Sequence, residues 1–64
     1  MLEGKIRALS PKGFGLIEGK DGVVYFPEVV VKEASFESLK ERQPVEYEAM
    51  PVGGRKEAIY VRPV

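Results

Sequence analysis

Lys12-Gly13-Phe14-Gly15-Leu16-Ile17, followed closely by Val23-Val24-Tyr25-Phe26, constrains the fold of this chain more than any other stretch. Both segments are β-prone, and Gly19-Lys20-Asp21-Gly22 between them carries the Asp-Gly signal of a short hairpin connection. Successive side chains of a strand point to opposite faces, so one parity of each segment enters a core and the other stands outside. In a chain with three Phe, three Tyr and no Trp, this pair of strands holds Phe14, Tyr25 and Phe26. Rings on the outward parity offer stacking platforms to unpaired bases, which describes a binding surface and not a reaction centre.

The rest of the chain continues the β pattern. Leu2, Gly4, Ile6 and Ala8 alternate with Glu3, Lys5 and Arg7, the period of a strand with one face inward. Ser10-Pro11-Lys12-Gly13 reads as a turn, the second strand runs from Phe14 to Glu18, and the third runs from Val23 to Phe26, where Pro27 stops it. Residues 27 to 43 read as a long connection, with one helical turn after Pro27 and another across Ser35 to Lys40, and with Leu39 plugging the core. Val45, Tyr47 and Ala49 mark a fourth strand from about Pro44 to Met50. Pro51-Val52-Gly53-Gly54-Arg55 reads as a flexible loop, and Ala58 to Arg62 as the last strand. Five short strands with turn-rich connectors predict an all-β fold, a small five-stranded antiparallel barrel, closed or nearly so, because closure removes exposed sheet edges.

Sixty-four residues make one domain spanning 1–64. A chain this short buries only about 60% of the surface it exposes when unfolded, so the core must be small. Absence of cysteine removes disulfides and thiolate metal sites. Absence of histidine with it excludes nucleophilic triads and ordinary zinc chemistry. No cofactor and no catalytic residue is expected, and the glycine string lacks the Gly-Lys-Ser/Thr ending of a phosphate-cradling loop. No apolar run approaches a membrane span, and the strand pattern begins at Met1-Leu2 without a signal-peptide profile; together with the missing cysteines this leads to an expected cytoplasmic location.

Ten Lys plus Arg balance ten Asp plus Glu, which argues against a strong polyanion binder, since non-specific affinity comes mostly from phosphate neutralisation. The charges are nevertheless unevenly placed. Residues 1 to 20 hold Lys5, Arg7, Lys12 and Lys20 against Glu3 and Glu18, whereas residues 28 to 48 hold six glutamates against Lys32, Lys40 and Arg42. The basic half is also the half that holds Phe14.

Taken in order, these segments resemble the bacterial cold-shock proteins over nearly the whole chain. Met1-Leu2-Glu3-Gly4-Lys5-Ile6-Arg7 resembles the opening strand of that family. Lys12 to Ile17 resembles its first ribonucleoprotein motif, and Asp21 to Phe26 resembles the second more loosely. Phe36 with Ser38-Leu39, Gln43 to Glu48, and Gly53-Gly54-Arg55-Lys56 through Val61 stand in the order of its later loop and strands. The resemblance implies an oligonucleotide-binding (OB) type of barrel, a single cold-shock-like domain, and RNA or DNA as partner. The chain departs from the family where rings are expected: Ala8-Leu9-Ser10 stand for Trp-Phe-Asn, Leu16 and Val23 for phenylalanines, and Tyr25 for an exposed histidine. The connection after Phe26 is about two residues longer. Each platform ring contributes about 1–3 kcal/mol, so the resemblance implies weakened binding.

The candidate nucleic-acid residues are Lys5, Arg7, Lys12, Phe14, Leu16, Val23, Tyr25, Phe26, Phe36, Arg55 and Lys56. Phe14 and Tyr25 are stacking candidates, Phe26 is a candidate with a part in the core, and Phe36 either plugs the barrel end or reaches the ligand. Lys5, Arg7 and Lys12 suit phosphate oxygens, and Arg55 and Lys56 lie beside a flexible glycine pair. For each, the plainer reading is ordinary packing or a solvated charge. The leading expectation is weak binding of single-stranded RNA or DNA. The alternative is a protein-interaction or homodimer surface on the same barrel face, where Ala8, Leu9, Leu16 and Val23 form an apolar patch.

Overall fold

A computed structural model describes residues 1–20 and 22–64. The described residues form five strands: β1 (Leu2–Ser10), β2 (Phe14–Gly19), β3 (Gly22–Pro27), β4 (Pro44–Val52) and β5 (Arg55–Pro63). They close into a barrel in the order β1-β2-β3-β5-β4. The pairings are antiparallel except for β3 with β5, which run parallel and meet at Tyr25 and Glu57. A closed, mostly antiparallel five-stranded barrel of this order is consistent with the OB-fold superfamily. The expected antiparallel barrel is thus present, and its one parallel contact follows from closure, because five strands in a ring cannot all run antiparallel to both neighbours.

Local chemistry fixes the turns. Gly13, at φ +97, donates its N–H to the Ser10 carbonyl, and the Ser10 hydroxyl accepts the N–H of Lys12 at 3.1 Å. The Asp21 part of the Asp-Gly signal lies outside the described residues; Gly19 and Gly22 are paired across the hairpin. Pro51 to Arg55 is not a loose loop. β4 continues to Val52 and β5 starts at Arg55, so only Gly53 and Gly54 turn the chain, with φ +55 and +83. Two positive φ values in a two-residue connection match the twist of the flanking strands, and glycine adopts them without strain.

The long connection contains short 3₁₀ turns at Glu28–Val30 and Phe36–Ser38, where helical turns were expected. Leu39, at its far end, is buried in the core. The inward residues Ile6, Ile17, Val24, Phe26, Val45, Tyr47, Ala58 and Val61 complete that core. Burying each large side chain contributes about 1.5–3 kcal/mol, and the core holds little else to fasten the strands. Bulges interrupt the alternation between Ile6 and Ala8 on β1 and between Glu48 and Ala49 against β5.

Candidate nucleic-acid interface

Strand parity and register assemble an outward face from β1, β2 and β3. Three rows cross it: Lys5–Glu18–Val23, Ala8–Leu16–Tyr25 and Ser10–Phe14–Pro27. Because Ile17, Val24 and Phe26 take the inward parity, Phe14, Leu16, Val23 and Tyr25 are left outside. Phe14 and Tyr25 are diagonal neighbours, with ring centroids 5.7 Å apart and planes tilted by 33°. They are half-buried, as is Leu16, whereas Val23 is 46% exposed and provides apolar surface where a ring would give a platform.

The charges on this face are mixed. Lys5 is the cross-strand partner of Glu18, and Arg7 reaches the same carboxylate at 3.9 Å with both side chains more than half exposed. Lys12 is exposed on the β1–β2 turn. Arg55, at the start of β5, holds its guanidinium carbon 5.3 Å from the centre of the Tyr25 ring. The face therefore carries one ring pair and scattered cations, and forms neither an aromatic nor a basic cluster.

Three of the sequence candidates lie elsewhere. Phe26 has no exposed surface. It sits in the core under Gly15, since its parity is that of Val24, and it offers no ring to a ligand. Lys56 points to the opposite side of the β4–β5 hairpin from Arg55 and lines a depression of about 460 Å³ with Leu2, Tyr47 and Met50. That depression lies at the Gly19–Gly22 end of β2, away from the ring pair. Phe36 packs on Phe26 with centroids 6.1 Å apart and forms one wall of a cleft of about 430 Å³ with Leu9, Pro11 and Lys12, at the Phe14 end of β2. It thus plugs the barrel end while leaving part of its ring toward that cleft.

The other side of the barrel has a different character. Glu46 and Glu48 point outward from β4, and Glu3 stands directly across from Glu46. Arg62 on β5 donates from Nε to Glu46 Oε1 at 2.8 Å and from Nη2 to the same oxygen, while its Nη1 lies 3.5 Å from Glu33 Oε2. Tyr60 donates its hydroxyl to Glu33 at 3.3 Å. The hydrogen bonds to Glu46, reinforced by that carboxylate's charge, raise the Arg62 pKa above its ordinary value. Glu33 itself takes φ +63, so this clasp holds a strained residue of the long connection against the barrel. The clasp sets one guanidinium against two carboxylates, so with Glu3 and Glu48 outward as well this side keeps an excess of carboxylates.

Two features of the ring face escaped sequence reasoning. Glu18, which dilutes the cations, shares the parity of Leu16 and was legible from it. The seating of Arg55 on Tyr25 depends on the β3–β5 register, for which the sequence carries no local signal. Among the described residues no group of three or more carboxylates is arranged to hold a metal ion, and no helix is long and apolar enough to cross a membrane. No protein-family model matches the chain, and no curated protein matches it significantly.

Proposed function

We propose that this chain is a divergent cold-shock-type barrel that binds single-stranded RNA or DNA weakly on the outward face of β1, β2 and β3, without catalytic activity. The observation that carries the reading is the Phe14–Tyr25 pair, two rings held side by side on the face where cations also stand. Two stacking contacts of about 1–3 kcal/mol each, less their overlap, sum to less than the roughly 8 kcal/mol of a micromolar complex, so the binding is weak. Lys5, Arg7, Lys12 and Arg55 provide phosphate contacts, and the acidic side formed by Glu3, Glu46 and Glu48 repels a polyanion, which favours approach to the ring face. Phe36 and Lys12 extend the path of the strand into the cleft beside the β1–β2 turn.

The test is an anisotropy titration of a labelled mixed-sequence oligonucleotide at low salt with wild type, Phe14→Ala and Tyr25→Ala. Binding by wild type that weakens about tenfold in either variant supports the reading. Equal anisotropy curves for all three proteins contradict it.

A second reading has its own observation. Ala8, Leu16 and the exposed Val23 are neighbours in successive rows, so the ring face also carries aliphatic surface suited to a protein partner or a second copy. It predicts a concentration-dependent sedimentation coefficient that Leu16→Glu abolishes; a strict monomer at every concentration contradicts self-association.

A further inference from the structure

Arg55 lies over the Tyr25 ring, where a stacked base would have to sit. Its placement is set by the backbone: the Gly53-Gly54 turn fixes Val52 opposite Arg55, and Glu57, two residues on, pairs with Tyr25 on the neighbouring strand. Arg55 therefore projects from the same face as Glu57 and reaches back over the ring. Among the described residues, no carboxylate lies within ion-pair distance of its guanidinium. The ring is its partner in the free protein, with Phe14 on Tyr25's other flank.

We propose that Arg55 is a self-ligand of Tyr25 that makes this face selective for strands with a charged backbone. The inference rests on the reading of the face as a nucleic-acid surface and adds the residue that sets its selectivity. A base stacks on Tyr25 only after the guanidinium leaves the ring, which forfeits a cation–π contact. A phosphodiester strand offsets that loss, because the displaced guanidinium gains a charge-assisted hydrogen bond to a phosphate oxygen. An uncharged-backbone strand offers only a neutral and weaker acceptor, and a free nucleoside offers no phosphoryl oxygen at all, so for these ligands Arg55 is chiefly an obstacle. The short β4–β5 turn keeps the guanidinium within reach of both positions, on and off the ring.

The experiment compares wild type and Arg55→Gln against two strands of one sequence, a phosphodiester oligonucleotide and its methylphosphonate analogue, at low salt. Arg55→Gln is expected to weaken phosphodiester binding and to strengthen methylphosphonate binding by about two- to fivefold, opposite signs from one substitution. In the free protein, the Arg55 side-chain protons are expected to resonate upfield through the Tyr25 ring current and to lose that shift in Tyr25→Leu. A plain phosphate contact would leave methylphosphonate affinity unchanged in Arg55→Gln, and that result overturns the inference while the nucleic-acid reading stands. Unshifted Arg55 protons in the free protein overturn it as well. Wild type binding neither strand overturns the nucleic-acid reading and this inference together.

Discussion

Gly15 and Phe26 are cross-strand partners on β2 and β3, and the Phe26 ring fills the space that a side chain at Gly15 would need. A Cβ on Gly15 would stand 2.6 Å from Cζ and 2.7 Å from Cε1 of Phe26, and 3.1 Å from the Ala8 carbonyl oxygen. Phe26 is fully buried and has nowhere to retreat. Gly15→Ala is therefore expected to destabilise the barrel by about 1–3 kcal/mol through overpacking. Calorimetry checks this, since a domain of this size loses about 4–8 °C of Tm per kcal/mol; an unchanged Tm would contradict the packing described.

The two parities of the same strands separate folding from binding. Phe14→Ala removes an outward ring and is expected to cost oligonucleotide affinity while leaving the melting transition nearly in place. Ile6→Ala or Val61→Ala, each opening a cavity at a residue with almost no exposed surface, is expected to cost about 2–5 kcal/mol of stability. Denaturant unfolding of the three variants reads the stability effects, and an oligonucleotide titration of Phe14→Ala reads the affinity. A collapse of the fold in Phe14→Ala would show that its ring belongs to the core.

Glu18 forms an ion pair with Arg7 and stands across from Lys5, so it offsets the cations that a phosphate would need. Glu18→Gln is expected to tighten oligonucleotide binding at low salt by about two- to fivefold, the scale of an exposed ion pair. The gain should fade as salt rises, because exposed charges are screened. Unchanged affinity at low salt would place the strand away from Lys5 and Arg7.

Arg62 makes a stability prediction with a definite pH sign. Its pKa is raised in the folded protein by the hydrogen bonds and charge of Glu46. A raised pKa contributes stability that is fully present below the unfolded-state value and is lost only as pH rises through the higher folded value. The urea midpoint of Arg62→Met is thus expected to lie below that of wild type by a constant interval from about pH 6 to about pH 10. An interval that closes within that window would show that the Arg62 guanidinium is not the stabilising group.

The fold was largely legible because alternation at period two survives wherever one face is buried. Leu2 to Ile6, Phe14 to Glu18 and Val45 to Ala49 announced their strands in this way, and Leu39 stood out as an apolar plug. The bulge after Ile6 turns Ala8 outward and Leu9 toward the core, against the expected inward Ala8 and outward Leu9. The end of the β4–β5 hairpin was misjudged because Gly53-Gly54 reads equally as a flexible linker and as a tight turn; only the positive φ values and the Val52–Arg55 pairing distinguish them. Closure of β3 on β5 was not legible, since alternation says which face is inward and not which strand lies alongside. The ring face was legible by parity from Ile17, which leaves Phe14 outside. The same reasoning through Val24 assigns Phe26 to the core. Arg55 on Tyr25 needed the register between strands remote in sequence.

The most direct test of the account is a titration of isotope-labelled protein with a mixed-sequence single-stranded oligonucleotide, following every backbone amide at low and at higher salt. The account predicts salt-weakened shifts centred on Lys5, Phe14, Leu16, Tyr25 and Arg55, with Glu46, Glu48 and Tyr60 on the acidic side unmoved. Absence of shifts at Phe14 and Tyr25 at millimolar oligonucleotide, or shifts centred on Glu46, Glu48 and Tyr60, would contradict it.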